Sequence, residues 1–425
     1  MNKPWWAAAL VAATVVLAGC NKGGTDQNTM QLRVLNAVVD AEPLDVLVDD
    51  NAKFTAVALG TTTSTSQLDS GTRTIKVRSS TNAAILSEKS LALGSGTTST
   101  MVMYGKRGAL GTVLLTDSTV TPASGKFRLR ALGLSADSGA LDIYVTAGTV
   151  NDGSATLSSV AYLSPTDYSE ITSGSFKVFM TVAGTKDIVF QSTAQAFAEG
   201  SKVTILVFPS AGGKLVNAIV LVEGSSGSGT LLSNPVGRTK AVNAIPDASP
   251  LNFKADGTTL LSSVPFAGTS SYVSLASGDR TLQVEAANVP GTIIASTVKN
   301  IGGARDYTTM ALDTLAAPRV VVLTDDNSLP TSGFAKIRFV NALTGSDGVD
   351  ALVNFASQAS GIGYGAASGY SQVAADTGYT ISFATAGGVS TLATISAAEL
   401  DAGAVYSAFI MGSAAAPQAK LVRDR

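Results

Sequence analysis

One segment of this chain occurs four times, and this internal repeat constrains the fold more than any other feature. The first copy runs from Arg33 to Val48, and the others begin at Arg130, Lys240 and Arg338. The copies start about a hundred residues apart, which is an ordinary size for one β-sandwich domain. A repeat of this period predicts a tandem array of similar domains.

Each copy alternates apolar and polar residues, as a β-strand with one buried face does. Leu44, Val46 and Val48 occupy every second position of the first copy, so their side chains point to one face of a strand. Turns that contain glycine, such as Ser70-Gly71, separate further short strands. Short strands between such turns predict an all-β fold. We therefore predict four immunoglobulin-like β-sandwich domains in tandem.

The stretches between the copies divide the chain. We predict a signal peptide at 1–19, a flexible tether at 20–29, and β-sandwiches at 30–118, 125–223, 238–325 and 333–425. The Gly/Ser-rich stretch 224–237 is predicted to be a flexible linker. Because it separates the second domain from the third, we expect two pairs of domains with the main hinge near Gly224–Gly229.

The first nineteen residues have the pattern of a bacterial export signal. Lys3 gives a positive start, an uncharged apolar run follows, and Leu17, Ala18 and Gly19 precede Cys20. The run is too short for a permanent transmembrane helix, which needs roughly 20 apolar residues. The pattern resembles the lipobox of bacterial lipoproteins. That resemblance implies signal-peptidase recognition of the three residues before Cys20, and acyl chains such as palmitate on Cys20 itself.

The alternative is an ordinary signal peptide with a chance cysteine. Cys20 is the only cysteine in the chain, and a lone thiol in an oxidising compartment would be a liability unless it were consumed. We therefore expect a lipid-anchored protein of the cell envelope. Asn21 follows the cysteine, and the absence of Asp there favours the outer membrane if the organism has two membranes.

The composition excludes several kinds of chemistry. The chain has no histidine, which rules out a Ser-His-Asp triad and histidine metal ligands. The formal net charge is −2, so the chain has no basic field for nucleic acid. We predict no enzyme activity, no cofactor, no metal and no nucleic-acid partner.

The repeat also resembles a known family. The pattern Arg33-Val-x-Asn36-Ala-x-x-Asp40, continuing to Asp45-Val-x-Val48, is similar to the start of a bacterial extracellular domain family of unknown function. That family occurs in secreted proteins and lipoproteins, often in tandem, and its members are similar to immunoglobulin-like sandwiches. The resemblance implies a fold and a location, and it brings no catalytic residues.

A basic residue precedes an Asp or Asn by twelve positions in every copy. The pairs are Arg33 and Asp45, Arg130 and Asp142, Lys240 and Asn252, and Arg338 and Asp350. The two residues could form an ion pair on adjacent strands, or the carboxylate could accept hydrogen bonds from loop backbone. Either role is structural, and a catalytic site is rarely needed four times in one chain.

Two other groups of residues have a functional and a structural interpretation. The stretches Asp49–Asn51 and Asp325–Asn327 could supply oxygens to calcium, or could be hairpin turns and linkers. Tyr168, Tyr272 and Tyr370 recur just before a turn. Their rings could stack on sugars, or could pack at the edges of their own sandwiches.

These features favour one function and leave two alternatives. The favoured function is a membrane-anchored cell-envelope lipoprotein that acts as a non-catalytic binding or spacer protein for an envelope or extracellular protein partner. The first alternative is a glycan-binding surface lipoprotein. The second is a carboxylate-dependent hydrolase, which would need one cleft richer in Asp and Glu than the other domains offer.

Overall fold

The fold is described from a computed structural model, which covers residues 28–210, 213–224, 229–232, 234–388 and 390–425. Within those ranges the regular secondary structure is β-strand, and no helix there is long and apolar enough to cross a membrane. The predicted signal peptide, Cys20 and the tether as far as residue 27 lie outside the described residues. The predicted all-β class is confirmed.

The strands of the described residues form four β-sandwiches, which we call domains 1 to 4. In each domain, the inner sheet is the one that contains the domain's first strand, and the outer sheet is the other. Domain 1 has an inner sheet of order β4-β1-β7-β8 and an outer sheet of order β3-β2-β5-β6. Its strands are β1 Thr29–Val38, β2 Leu44–Val48, β3 Asn51–Val57, β4 Ser66–Asp69, β5 Gly71–Ser79, β6 Ile85–Leu93, β7 Thr98–Lys106 and β8 Ala109–Thr116.

Domain 2 repeats this order and adds strands at the sheet edges. The inner sheet has the order β12-β9-β16-β17-β18, and the outer sheet β11-β10-β13-β14 with β15 paired to β13. The strands are β9 Lys126–Gly133, β10 Leu141–Thr146, β11 Leu157–Val160, β12 Ser169–Thr172, β13 Gly174–Val182, β14 Ile188–Gln191, β15 Gln195–Phe197, β16 Lys202–Ser210, β17 Gly213–Val222 and β18 Gly229–Leu232.

Domains 3 and 4 have the strand order of domain 1. Domain 3 comprises β19 Val236–Asn243, β20 Leu251–Ala255, β21 Thr258–Val264, β22 Val273–Ala276, β23 Gly278–Ala286, β24 Ile293–Ile301, β25 Asp306–Leu312 and β26 Arg319–Asp325. Domain 4 comprises β27 Phe334–Thr344, β28 Val349–Val353, β29 Ala356–Ile362, β30 Ser371–Ala374, β31 Asp376–Thr385, β32 Thr391–Leu400, β33 Val405–Ser413 and β34 Ala416–Arg423.

The centre of each inner sheet is a parallel strand pair, and both of its faces are buried. In domain 1, β1 pairs in parallel with β7. Leu32 and Val34 of β1 pack into the core of domain 1, whereas Leu35 and Ala37 pack against domain 2. Alternate residues of one strand therefore serve two different cores, as is usual for parallel strands buried on both sides.

The inner sheets pack face to face, so domain 1 pairs with domain 2 and domain 3 with domain 4. The first interface is apolar and contains Leu35, Ala37, Val102 and Leu115 of domain 1 against Leu132, Leu134, Leu206, Phe208, Ile219 and Leu221 of domain 2. The second contains Val242, Ala244, Met310 and Leu312 of domain 3 against Val340, Ala342, Phe409 and Met411 of domain 4. Burial of this apolar area is the main force that holds each pair together.

The predicted linker at 224–237 is only partly a linker. Residues 225–228 and 233 lie outside the described residues, but Gly229–Leu232 is strand β18, paired with β17. The N–H of Gly229 donates to Thr62 Oγ1 of domain 1 at 2.9 Å, and an added Cβ would lie 3.0 Å from the methyl group of Thr62. Gly229, which was predicted to belong to a flexible linker, instead permits close packing between domain 1 and domain 2.

Candidate functional site

Three of the four repeated basic residues lie buried on the inner sheets, and Arg130 is partly buried. Arg33 is 0% exposed, and Lys240 and Arg338 are each 1% exposed. Each belongs to the first strand of its domain, and the arginines bond to a hydroxyl on the parallel neighbouring strand. Nε of Arg33 donates to Thr100 Oγ1 at 2.7 Å, and Nε of Arg338 donates to Ser407 Oγ at 2.9 Å. Arg130 has the same bond with Thr204, at 2.8 Å.

In the pair of domains 3 and 4, each repeated base bonds to a carboxylate of the other domain. Arg338 of domain 4 donates to Asp325 Oδ1 at 2.6 Å and to Thr308 Oγ1 at 3.1 Å, both in domain 3. Lys240 of domain 3 donates to Asp424 of domain 4, which also accepts from Ser407 at 2.6 Å. The two halves of this network are related by an approximate two-fold exchange of the domains, which is the symmetry expected of two similar faces that pack together.

In the pair of domains 1 and 2, the same positions bond partly through backbone groups. Arg33 donates to the carbonyl oxygens of Val222 at 3.0 Å and Gly224 at 3.1 Å. The N–H of Gly224 in turn donates to Asp117 Oδ2 at 2.8 Å. Arg130 pairs with Glu223 of its own domain at 3.1 Å. Both interfaces therefore enclose two bases and two acids.

The three recurring tyrosines belong to these networks. The cationic groups of Arg130, Lys240 and Arg338 lie 4.7, 5.4 and 5.2 Å from the ring centroids of Tyr168, Tyr272 and Tyr370, respectively. The Tyr168 hydroxyl donates to Glu223 and the Tyr272 hydroxyl to Asp325, both at 2.5 Å. Burial raises the pKa of all three phenols, and nearby carboxylates raise the pKa of Tyr272 further. Rings engaged in this way do not favour the sugar-stacking interpretation.

Domain 1 lacks this tyrosine. In domains 2 to 4, the residue two positions before the tyrosine has a hydroxyl group that accepts a backbone N–H from the first strand of the domain. Thr63 accepts the same bond in domain 1. The equivalent of the tyrosine is therefore Thr65. Oδ1 of Asp117, the acid that such a tyrosine would reach, lies 3.9 Å from Arg33 Nη2 and accepts no hydrogen bond from the residues that the structure describes. Burial raises the pKa of Asp117.

The repeated Asp or Asn does not pair with the repeated base, so that alternative was wrong. Arg33 lies on the inner sheet, whereas Asp45 lies on β2 of the outer sheet and bonds to Arg78 at 3.1 Å. Oδ1 of Asp45 accepts the backbone N–H of Ala56 at 3.0 Å, where β3 is irregular and Ala56 has a φ of 50°. The backbone alternative describes its role.

The other domains use the same device. Asp142, Asn252 and Asp350 accept from the N–H groups of Ser159, Ser263 and Gly361 at 2.8, 2.9 and 2.7 Å. Each of these donors also has a positive φ, which is the conformation of a residue in a β-bulge. The carboxylate or amide thus satisfies an N–H that the bulge removes from the sheet ladder.

Comparison with known families gives the same repeat. Residues 30–144, 239–345 and 335–425 match the family described as "Domain of unknown function (DUF4397)". The chain belongs to the DUF4397 family. Two of the three matched ranges extend from one sandwich into the next, the first as far as β10 of domain 2 and the second as far as β27 of domain 4, and most of domain 2 lies outside them. Domain 2 is also the copy with Gly133 in place of the repeated Asn.

Two solved structures show distant similarity to this DUF4397 chain. "The Bacillus anthracis TIE protein" is 11% identical, with a TM-score of 0.17, over 87% of this chain and 65% of that one. A "multi-modular glycogen-degrading pneumococcal virulence factor SpuA" is 9% identical, with a TM-score of 0.16, over 64% of this chain and 37% of that one. The chain thus covers less than two thirds of either protein. No curated protein matches it.

The side chains of the repeated asparagines connect the inner sheet to the outer sheet, and Gly133 replaces the asparagine in domain 2. Asn36 Nδ2 donates to the Val57 carbonyl at 2.9 Å, and Asn243 and Asn341 make the same bond to Val264 and Ile362. In domain 2 the carbonyl of Ala161 lies 2.7 Å from where a Cβ of Gly133 would be. The chain therefore approaches too closely there for an asparagine.

The acidic members of the networks were not recognised in the sequence. Asp117, Glu223, Asp325 and Asp424 each end or closely follow a last or next-to-last strand of a domain. Their recurrence near the end of every sandwich was the available signal. The pattern at the start of each copy contains only the bases of these networks and does not reveal the acids that complete the interfaces.

The two acidic stretches are structural in the geometry observed. Asp49 and Asp50 form the turn between β2 and β3 and pair with Arg73 at 3.2 Å and Lys76 at 2.7 Å. Asp325 belongs to the buried network, and Asp326 accepts from Ser328 at 2.6 Å. Within the part of the chain that the structure describes, no three His, Cys, Asp or Glu side chains are placed to hold a metal.

A cavity of about 540 Å³ lies between domain 2, domain 3 and the C-terminal segment. Asp187 and Asp424 line it together with Lys214, Arg238 and Arg425. Arg238 is held by Asp306 through bonds of 2.8 and 2.6 Å. Carboxylates do not dominate this cavity, so it does not favour the hydrolase alternative, which needs a pair of free carboxyl groups.

Proposed function

We propose that this protein is a lipid-anchored, non-catalytic binding or spacer module of the cell envelope, whose partner is an envelope or extracellular protein. One observation carries the proposal. The polar residues that recur in every copy are already hydrogen-bonded or ion-paired within the domain interfaces or at the sheet bulges. Arg338 and Asp325, for example, are both buried and bonded to each other. The repeat therefore maintains an architecture, and contacts with a partner fall to the exposed loops and hairpin tips.

The sequence before domain 1 supports the anchor. Cys20 follows Leu17, Ala18 and Gly19 and is the only cysteine. Strand β1 begins at Thr29, so the lipid and the first sandwich are joined by at most roughly 30 Å of extended chain. Domain 1 is thereby held close to the membrane surface. If the organism has two membranes, the residue after Cys20 favours the outer one.

Pairing of the domains supports a scaffold or spacer. Because each inner sheet is covered on both faces, we expect the two domains of a pair to move together as one rigid body and not independently. A rigid body presents its loops in fixed positions, which lowers the conformational entropy lost when a partner binds.

Intact-mass analysis and localisation in the native cells test this proposal, with Cys20→Ala as the matched control. We expect a mature chain that begins at Cys20 and carries acyl chains, and a soluble, unlipidated product from the variant. We also expect intact wild-type cells to lose the protein to added protease if it faces outward. A wild-type protein without acyl chains would contradict the lipid anchor. A wild-type protein found in the soluble fraction would contradict membrane attachment and leave only the binding part of the proposal.

A further inference from the structure

The hairpin between β28 and β29 carries a phenylalanine in an unfavourable backbone conformation. Asn354 has a φ of 46° and Phe355 a φ of 66°. Two successive positive φ angles define a hairpin turn that prefers Asn, Asp or Gly, and a bulky residue there is an outlier. The side chain of Phe355 is 83% exposed. Packing inside the domain therefore does not explain why phenylalanine occupies this turn.

The same turn in domains 1 and 3 is ionic. Asp49 and Asp50 form it in domain 1, and Asp256 and Gly257 form it in domain 3. The first residue of each turn pairs with an arginine of the neighbouring strand. These pairs are Asp49 with Arg73 at 3.2 Å and Asp256 with Arg280 at 2.9 Å.

Domain 4 keeps the framework of this turn and replaces its charges. Asn354 Oδ1 accepts the N–H of Thr380 at 2.8 Å, as Asp49 accepts from Thr74 at 3.0 Å. Tyr379 stands where domain 1 has Arg73, and Phe355 where it has Asp50. The salt bridge has thus been exchanged for two aromatic residues at one tip, while the backbone bond that shapes the turn remains.

We propose that Phe355 is the anchor through which domain 4 binds a folded protein partner, with its ring entering one apolar pocket of that partner. This inference rests on the proposed binding function and names the surface responsible. A strained residue with no internal role is a marker of function. A single aromatic side chain buries 150–250 Å², and such rings on rigid supports dominate protein interfaces.

The surroundings of the ring favour a protein pocket over a membrane. Small or polar residues, Asn354, Ala356 and Ser357, flank it in the hairpin. The strands that end beside it place Asp376 and Asp401 at the same end of the domain, and Arg423 is paired with Asp401. Membrane-binding surfaces combine a broad apolar area with basic residues. This tip has one protruding ring and unfavourable charge for an anionic bilayer.

A photo-crosslinking residue at position 355 of the full-length, lipidated protein tests the inference in the native cells. The matched controls carry the same residue at positions 50 and 257, which occupy the equivalent turn position in domains 1 and 3. We expect one discrete protein adduct from position 355 and none from the controls. An adduct with lipid, or no adduct at 355, overturns the inference.

The protein identified in that adduct is then titrated against purified variants. The chain after Cys20 has no tryptophan, since both are at Trp5 and Trp6, so F355W provides a single fluorescent reporter. We expect its emission to shift to shorter wavelength on binding the partner and to stay unchanged with vesicles of phosphatidylethanolamine and phosphatidylglycerol. A shift with vesicles overturns the inference.

The variant F355G separates binding from folding. Because Gly257 occupies the same turn in domain 3, we expect F355G to be at least as stable as the wild type and to bind the partner about tenfold more weakly, or worse. V298S, which removes another exposed apolar side chain, should bind normally. Unchanged binding by F355G, or its failure to fold, overturns the inference.

The outcomes also distinguish this inference from the proposed function. Protein adducts at position 50 or 257 without one at position 355 would support the proposed binding function and contradict the assignment of Phe355 as the anchor. A mature protein without acyl chains on Cys20 would contradict the proposed lipid anchor. It would not change the interpretation of the crosslink at position 355.

Discussion

Arg338 of domain 4 donates a 2.6 Å hydrogen bond to the carboxylate of Asp325 in domain 3. Their side chains are 2% and 0% exposed, respectively. Burial by itself lowers the pKa of Arg338, but the attraction of Asp325 outweighs that effect and raises it. Arg338 therefore keeps its positive charge while it is enclosed between two domains. A buried pair of this kind is costly to break because the remaining charge cannot be hydrated.

Replacement of one partner should destabilise the pair of domains 3 and 4. R338M leaves Asp325 buried without its cation, so we expect it to lower the free energy of unfolding by about 3–5 kcal/mol. Urea unfolding of the C20S protein measures the effect. The control R73M breaks the exposed pair with Asp49 and should cost about 1 kcal/mol or less. Equal losses in the two variants would contradict the assignment of Arg338 to a buried network.

The missing tyrosine of domain 1 should be restorable. In T65Y, the hydroxyl is expected to reach Oδ1 of Asp117, as Tyr168 and Tyr272 reach the acids of their domains. The ring is expected to lie over Arg33, as the tyrosine rings lie beside the repeated base in the other three domains. A hydrogen bond to a charged group contributes about 1.5–3 kcal/mol, so urea unfolding should show a gain of that order. T65F supplies the ring alone and should gain less. If both variants lose stability, the space beside Arg33 is too small and the equivalence is wrong.

Asp45 should contribute stability that acid removes. Its burial raises the pKa, but bonds from Ser80, Ala56 and Arg78 outweigh burial and hold the pKa below its ordinary value. The unfolded carboxyl, with a pKa near 3.9, therefore binds its proton more readily than the folded one. The stability is present above that pH and is lost as pH falls through the lower, folded pKa.

The variant D45N tests this pH dependence. We expect a loss of about 1–3 kcal/mol at neutral pH and a flatter decline below pH 4, measured by urea unfolding at several pH values. D347N, at an exposed turn residue, should keep the wild-type acid profile. An unchanged profile in D45N would show that the bulge does not depend on this carboxylate.

The interface tyrosines should resist ionisation until the domains open. The pKa of Tyr168, Tyr272 and Tyr370 is raised above the ordinary value near 10. The folded state therefore retains protons that the unfolded state loses, and the stability from these phenols is complete below pH 10 and falls as pH rises.

Ultraviolet absorption of tyrosinate between pH 10 and 12 measures this behaviour. We expect fewer of the ten tyrosines to ionise before unfolding than after it, and the difference to shrink by one in Y272F. If all ten ionised together near pH 10 while circular dichroism still showed folded protein, the tyrosines would be solvent-exposed and the network would be wrong.

The sequence predicted the sandwiches well because the outer sheets have one face in water. In β5, Ile75 and Val77 are buried while Lys76 and Arg78 are only partly buried, and alternation in the sequence reveals that difference. The inner sheets give no such signal. Leu35 and Ala37 of β1 face another domain, so both sides of the strand are apolar and the pattern does not distinguish core from interface.

The position of the repeated charges could not be predicted from spacing. Arg33 and Asp45 are twelve residues apart, but the chain crosses from the inner sheet to the outer sheet between β1 and β2. Their partners are distant in sequence: Arg33 bonds to Val222 and Asp45 to Arg78. Sheet register and domain pairing determine such contacts, and local periodicity contains neither.

Phe355 was also overlooked, although an alignment of the copies would have shown it. Counting five residues from Asp45, Asn252 and Asp350 gives Asp50, Gly257 and Phe355. The aromatic residue is conspicuous only beside its counterparts and only once the positive φ of the turn is known. Exposure and backbone strain are properties of the folded chain.

Hydrogen exchange in F409A tests the central claim that domains 3 and 4 form one unit through their inner sheets. Phe409 is buried against domain 3, whereas its neighbour Ile410 faces the core of domain 4. We predict that F409A accelerates amide exchange in β19 and β25 of domain 3 as well as in β27 and β33, and that I410A accelerates it chiefly within domain 4. If F409A accelerated exchange in domain 4 alone, the inner sheets would not be coupled and the account would be contradicted.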